Sequence, residues 1–343
     1  MREKKPFKDK LDRRSFMRIM GTSLGIGALY SVVPAFGGAS AGDFFASGVA
    51  DFLKVRNGEA PSPFTFVQLS DPHVGFNGPP DPLGTLAFEN AVAMVNRLPR
   101  RPDLVIFTGD LTHDAPTRDT HAERMKLFRS IAGRLKVPML KWVPGENDAA
   151  LDNGVLYREF FGDTSYSFDH RGVHFVAIDN VSRGRPEVGA DRIAWLKRDL
   201  ARFPKTAPIV VFTHRPLFDL KPEWEWFTSD GDDVMNALAP YENVTVLYGH
   251  IHRKHVHQTG HTVHYAARSL IFAFPDPATA GDKKPLPFDK TQPFKNLGIR
   301  RVEAAGEGQP ELNVADVELS VREFSGTSGI QQMIKGGSSE DNE

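Results

Sequence analysis

Residues 104–113 read Leu104-Val105-Ile106-Phe107-Thr108-Gly109-Asp110-Leu111-Thr112-His113. Four apolar residues of strand character run into a Thr-Gly turn that delivers a carboxylate, which is how a strand buried on both faces ends in sequence. The same grammar recurs four times. Phe64 to Leu69 leads to Ser70-Asp71-Pro72-His73, and Met139 to Val143 leads to Pro144-Gly145-Glu146-Asn147-Asp148. Ile209 to Phe212 leads to Thr213-His214-Arg215-Pro216, and Val244 to Tyr248 leads to Gly249-His250-Ile251-His252. Seven potential metal ligands therefore stand at strand C-terminal ends: Asp71, His73, Asp110, Glu146, His214, His250 and His252. In open α/β sheets that edge is where ligands bind, so the five loops are expected to converge on one site although they span about 180 residues.

Between these strands, apolar residues at three- and four-residue spacing predict helices over Leu83 to Leu98, His121 to Leu135 and Asp191 to Phe203. Two hairpins are expected, Tyr166 to Asp179 around His170-Arg171-Gly172 and Lys254 to Ala266 around Thr259-Gly260. Gly298 to Val302 and Leu312 to Leu319 offer further strands. The fold class is thus α/β, a four-layer α-β-β-α sandwich of two mixed sheets packed face to face with helices outside. No period of 20 to 50 residues recurs, so a repeat architecture is not supported. Pro275 to Pro293, a Pro- and Lys-containing loop, reads as a plain connecting loop or, alternatively, as a border of the site.

The chain has 343 residues, 40% of them hydrophobic, enough for one substantial core. Its first 18 residues carry a local net charge of +5, followed by an uncharged, weakly apolar stretch from Ile19 that closes on Ala39-Ser40-Ala41. This has the form of an export signal with an Ala-x-Ala cleavage site. Arg13-Arg14-Ser15-Phe16-Met17 resembles the twin-arginine signal, with Asp12 where Ser or Thr is usual. The expected organisation is a signal peptide over 1–41, a linker over 42–62, the ligand-bearing α/β domain over 63–322 and a disordered Gly/Ser/acid-rich tail over 323–343. The resemblance implies the twin-arginine export machinery as a partner, folding before transport, and a periplasmic or otherwise exported location. The stretch is Gly-rich and contains Pro34, so no stable membrane span is expected after cleavage, and an uncleaved signal would act as an anchor. The whole chain has net charge −1 and the mature part −6, which argues against a nucleic-acid-binding surface. There is no cysteine, so disulfides, thiolate metal sites and Cys nucleophiles are excluded.

Carboxylate and imidazole donors without thiolate suit Fe, Mn or Zn, and a shared carboxylate, for which Asp110 is the candidate, can hold two ions. Two such ions acidify a bridging water and bind a phosphate's oxygens, so the implied reaction is phosphoester hydrolysis by a metal-bridging hydroxide. The ordered blocks resemble the calcineurin-like metallophosphoesterase superfamily, which includes purple acid phosphatases and class III cyclic-nucleotide phosphodiesterases. The resemblance spans about Phe64 to Asp276 and implies that Asp71, His73, Asp110 and His252 bind one metal, Fe or Mn with Zn also compatible. It implies that Asp110, Glu146, His214 and His250 bind the other. The departure lies at Gly145-Glu146-Asn147-Asp148, where the family usually has Gly-Asn-His-Asp. In register, Glu146 replaces a neutral amide ligand and adds a negative charge that favours a harder metal. Asn147 replaces a His that assists the leaving group or binds phosphate; a shifted register would instead make Asn147 the ligand.

His113 faces either the substrate or its own loop. Arg215 either forks onto phosphate or lies solvated on a surface turn. His255, His257, His261 and His264 read either as an extra metal site or as alternation on a hairpin face, and Asn180 as either a ligand contact or a turn residue. Three functions are in play: an exported phosphomonoesterase or phosphodiesterase, a cyclic-nucleotide or nucleotide phosphodiesterase, and a metal-binding protein with little catalysis, the last motivated by Asn147.

Overall fold

The computed structural model describes residues 50–59, 62–304 and 312–320. The signal peptide over 1–41 and the tail over 323–343 lie outside the described residues. Among the described residues eleven strands are formed: β1 Phe64–Leu69, β2 Leu104–Thr108, β3 Met139–Val143, β4 Tyr166–His170, β5 Val173–Ala177, β6 Pro208–Phe212, β7 Asn243–Tyr248, β8 His255–Thr259, β9 Thr262–Ala266, β10 Gly298–Ala304 and β11 Leu312–Glu318. They make a five-stranded sheet in the order β11-β10-β1-β2-β3 and a six-stranded sheet in the order β4-β5-β6-β7-β9-β8. β1, β2 and β3 are parallel, as are β5, β6, β7 and β9, while β10, β11, β4 and β8 pair antiparallel. Both sheets are mixed, as expected.

The residues of each strand alternate between two cores. Phe64, Phe66, Leu104 and Ile106 meet Phe175, Val210, Phe212 and Leu247 in the seam between the sheets. The intervening Val67, Leu69, Val105 and Phe107 face outward onto helices Leu86–Asn96, Arg118–Ala132 and Val155–Phe161. On the second sheet, Ile209, Val211, Val244 and Val246 face helices Ala190–Leu200 and Gly231–Leu238. Burial on both faces explains why these strands read as continuous apolar runs. Truncating one such phenylalanine to alanine is worth roughly 3–5 kcal/mol. The helices of 155–161 and 231–238 were not expected; seven and eight residues are too few to show a clear period. Residues 50–56 are helical within the stretch read as a linker, and Val55 is buried against Phe203 and Ala207.

His174 of β5 ties the β4–β5 hairpin to helix Ala190–Leu200. Fully buried, it reaches Asp169 Oδ1 at 2.7 Å and Asp199 Oδ2 at 2.8 Å. Burial opposes its charge, but the bonds to Asp169 and Asp199 prevail and raise its pKa. Burial lifts Asp199 in turn, and the bond to His174 outweighs this and lowers it. A raised histidine contributes stability that is full below its unfolded pKa of about 6.5 and lost as pH rises through the folded value. The depressed Asp199 contributes above about 3.9 and loses its share as pH falls through its folded value. His174→Gln should therefore cost roughly 3 kcal/mol between those limits and less at alkaline pH. Denaturant unfolding across pH measures this, and a penalty that grows with pH contradicts it.

Candidate metal centre

All seven predicted ligands leave strand C-terminal ends: Asp71 and His73 after β1, Asp110 after β2, Glu146 after β3, His214 after β6, and His250 and His252 after β7. Five of them hold left-handed backbone, with φ of 52° at Asp71, 40° at His73, 48° at Asp110, 64° at His250 and 51° at His252. That conformation costs roughly 1–2 kcal/mol for each such residue, and such strain concentrates at functional sites. Bonds between the loops offset it: Asp71 N donates to Gly109 O at 3.1 Å, His73 N to Asp110 O at 3.0 Å, and Gly249 N to His214 O at 2.9 Å. Gly109, at φ 91°, lies so close to the His214 ring that any Cβ would collide with it, and a Cβ at Gly145 would collide with the Asp110 carboxylate.

Donor atoms of Asp71, His73 and His252 lie within 4.8 Å of one another, as do those of Glu146, His214 and His250. A third grouping, Asp71, Asp110 and His214, joins the two across the middle. Asp110 Oδ2 is 3.3 Å from His73 Nε2 and 3.5 Å from His214 Nε2, which places this carboxylate between the two clusters. Glu146 Oε2 is 2.8 Å from His214 Nε2, and its Oε1 is 2.8 Å from His250 Nδ1.

The histidines are oriented from behind. His214 Nδ1 donates to Thr108 O at 2.7 Å, His252 Nδ1 to Phe272 O at 2.9 Å, and His250 Nε2 to Glu225 O at 3.1 Å. The His250 and His252 rings thus turn their other nitrogen, as a lone pair, toward the cluster, the arrangement a metal ligand requires, and His214 aims its Nε2 the same way. Burial lowers His73 and His250 to about 4 and His252 further, keeping all three neutral. His214 behaves differently: burial opposes its charge, but Asp110 and Glu146 raise its pKa well above the usual range. Asp71, with burial as the main cause, is lifted to about 8. Burial and Glu146 push Asp110 upward too, yet His214 and His73 hold it at about 2. Three carboxyl groups thus share a buried space, the Asp110 and Glu146 carboxylates with His214 and Arg215 as counter-charges. Glu146 Oε2 and His214 Nε2, although close, make no hydrogen bond to each other or to another described group. Unpartnered buried donor atoms such as these are what bound cations would satisfy.

Asn147 is committed to Asp110. Its backbone N donates to Asp110 Oδ1 at 2.9 Å and its Nδ2 to Oδ2 at 2.8 Å, which makes it a positioning residue for the central carboxylate. The register with Glu146 between His214 and His250 follows from this. His113 stands beside the centre, Nδ1 3.3 Å from His73 Nδ1 and its ring edge-on to Phe76. Arg215 is not on a solvated turn. It is 6% exposed, its Nη1 donates to Glu225 O at 2.6 Å and its Nε lies 3.6 Å from Glu146 Oε2. Asn180, fully buried, holds that loop by donating to Arg215 O and Thr228 Oγ1. His257 and His264 pair across β8 and β9 and pack around Phe218 with His255; among the described residues they are not part of any cluster of three ligand atoms. Sequence reasoning missed Glu225, whose carbonyl orients both His250 and Arg215; a backbone acceptor leaves no trace in residue type.

The family model of the calcineurin-like phosphoesterases matches residues 64–254. The chain belongs to that family. This calcineurin-like phosphoesterase is a metal-dependent phosphoric ester hydrolase. It is 28% identical over 210 residues, 54% of its own length and 71% of the relative's, to a probable glycerophosphodiester phosphodiesterase of Arcobacter nitrofigilis. It is 26% identical over 218 residues, 58% and 69% of the two lengths, to a probable cyclic nucleotide phosphodiesterase of Rhodococcus erythropolis. Among solved structures it resembles a dimetal phosphatase from Danio rerio with TM-score 0.50 at 12% identity, over 75% of this chain and 99% of that one. A purple acid phosphatase from yellow lupin gives TM-score 0.54 at 14% identity, over 77% and 55%. At such identities the structural likeness speaks for the fold alone.

Proposed function

We propose that this phosphoesterase is an exported, two-metal phosphodiesterase. Asp71, His73, Asp110 and His252 would hold one ion and Asp110, Glu146, His214 and His250 the other, with Fe or Mn the best match to this oxygen- and nitrogen-donor set and Zn compatible. Metal ions held there supply acidified water and neutralise phosphoryl oxygens. The chain's own part is to fix Asp110 through Asn147, to orient each imidazole through a backbone carbonyl, and to hold Glu146 beside Arg215.

The observation that carries the preference for diesters is Glu146 itself, a third carboxylate where the family's amide is neutral. The added negative charge disfavours a dianionic monoester more than a monoanionic diester. Two relatives named as probable phosphodiesterases support the same choice. Of these, the cyclic-nucleotide reading gains from the partly exposed rings of Phe76 and Phe272, 5.2 Å apart beside His73. Export is proposed on Arg13-Arg14 and Ala39-Ser40-Ala41.

One experiment addresses both parts. Periplasmic and cytoplasmic fractions are assayed with bis(p-nitrophenyl) phosphate and p-nitrophenyl phosphate in Mn, Fe and Zn. Diester turnover is expected to exceed monoester turnover by about tenfold or more and to reside in the periplasm. Replacing Arg13 and Arg14 by Lys should empty that fraction. Faster monoester turnover overturns the substrate assignment, and unchanged periplasmic activity in the double variant overturns the route.

A further inference from the structure

The loop between Phe274 and β10, read from sequence as a plain connection, brings a cation toward the metal ligands. It carries no helix or strand and is fastened at its base. Asp276 pairs with Arg253 at 3.1 Å and accepts from Ala278 N at 2.9 Å, and Leu286 N donates back to Ala273 O at 2.8 Å. The segment between is thereby folded into a closed excursion whose two adjacent lysines differ in placement. Lys284 is 79% exposed and pairs with Asp282 at 2.8 Å. Lys283 is half-buried, and its Nζ lies 5.6 Å from the centre of the Phe274 ring. Phe274 in turn packs 5.0 Å from the ring of the ligand His252 and 6.1 Å from Trp226. Among the described residues Lys283 makes no hydrogen bond or ion pair.

Burial lowers the pKa of Lys283, Glu146 acts to raise it, Arg215 to lower it, and Glu225 and Asp110 to raise it. The ammonium thus stands in the field of the centre's carboxylates without being paired to any of them. Arg215 donates to Glu225 O and lies against Glu146, and Asn147 donates to Asp110. A half-buried cation one ring removed from a candidate metal ligand, held by a closed loop and lacking an anion, would be complemented by a phosphoryl group brought to that centre.

We infer that Lys283 is a substrate-binding residue of this phosphoesterase, its ammonium contacting a non-bridging oxygen of the phosphoryl group. The inference rests on the metal-centre reading above and gives the loop a role in holding the anion that the family's missing His at position 147 leaves unfilled.

The test compares Lys283→Met, which keeps an unbranched apolar side chain and removes the charge, with Lys283→Arg and, as control, Lys284→Ala. Binding of inorganic phosphate to the metal-loaded protein is measured by calorimetry, alongside kcat/KM for bis(p-nitrophenyl) phosphate and metal content. Lys283→Met should weaken phosphate binding and kcat/KM by about 10- to 100-fold at unchanged metal content. Lys283→Arg should recover most of the loss, and Lys284→Ala should match the wild type. Phosphate affinity within about twofold of wild type in Lys283→Met overturns the inference, whatever happens to thermal stability or turnover, because a loop residue that only packs leaves anion affinity alone. Should the wild type fail to hydrolyse the diester, the functional reading falls, and the phosphate-binding arm still decides the role of Lys283.

Discussion

Asp110→Asn is expected to lower kcat/KM by at least about 10³-fold, with metal content falling from about two ions per chain toward one or fewer. The side chain is 2% exposed and stands between the two ligand clusters, so it is the one carboxylate whose charge both metals would share. The substitution removes that charge and also breaks the support beneath it. Asn147 offers one donor to each Asp110 oxygen, at 2.9 and 2.8 Å, and an amide in place of the carboxylate sets one N–H₂ against one of those donors. Arg215→Ala should cost about tenfold or less, since its guanidinium serves Glu146 at 3.6 Å and touches neither cluster's centre. Elemental analysis and kinetics on the two variants check this. Equal losses would falsify the assignment of Asp110 as the shared ligand.

Asp148→Ala is expected to destabilise the domain by roughly 3–5 kcal/mol. Asp148 is 1% exposed and accepts from four donors: Gly145 N at 2.9 Å, Leu111 N at 3.0 Å, Thr112 N at 2.8 Å and Thr112 Oγ1 at 2.8 Å. Burial, and then repulsion from Asp110, raise this carboxyl to about 7 although the backbone donors act to lower it. Alanine would leave three backbone N–H groups buried without acceptors in the two turns that carry Asp110 and Glu146. Asp148→Asn, which keeps the shape and one acceptor, should lose less. Urea unfolding midpoints at fixed metal concentration measure both. A loss under about 1 kcal/mol for Asp148→Ala would show that water enters to replace the carboxylate.

The strands and most of the centre were legible because one physical fact writes both signals. A strand covered on both faces must be apolar at every position, and the turn after it must be polar, so Leu104–Thr108 followed by Asp110 announces element and ligand together. The His170-Arg171-Gly172 turn was legible for a related reason: Arg171 and Gly172 both take positive φ, the backbone a tight hairpin demands. What stayed hidden depends on side-chain direction within loops. Nothing in Pro-Leu-Phe or Asp-Lys-Lys-Pro indicates that Arg215 turns inward to Glu225 or that Lys283 rather than Lys284 faces the centre. Asn147 was visible as a departure from the family, but its bond to Asp110 follows from the backbone path after Gly145 and from no pattern of residue types.

The two ligand clusters have a mechanical meaning as well as a chemical one. Asp71, His73, Asp110 and Glu146 belong to the first sheet, while His214, His250 and His252 belong to the second, and each cluster draws on both. Bound ions would therefore act as rivets across the mouth of the seam, adding to the apolar contacts of Phe64, Phe66, Phe175 and Phe212 deeper inside. No fragment containing one sheet alone presents a complete set, so ion capture is tied to the assembled sandwich and the affinity for metal becomes part of the free energy that keeps the halves together. A chelator would then act on cohesion and on turnover at once, and the availability of metal would decide how firmly the sandwich is closed.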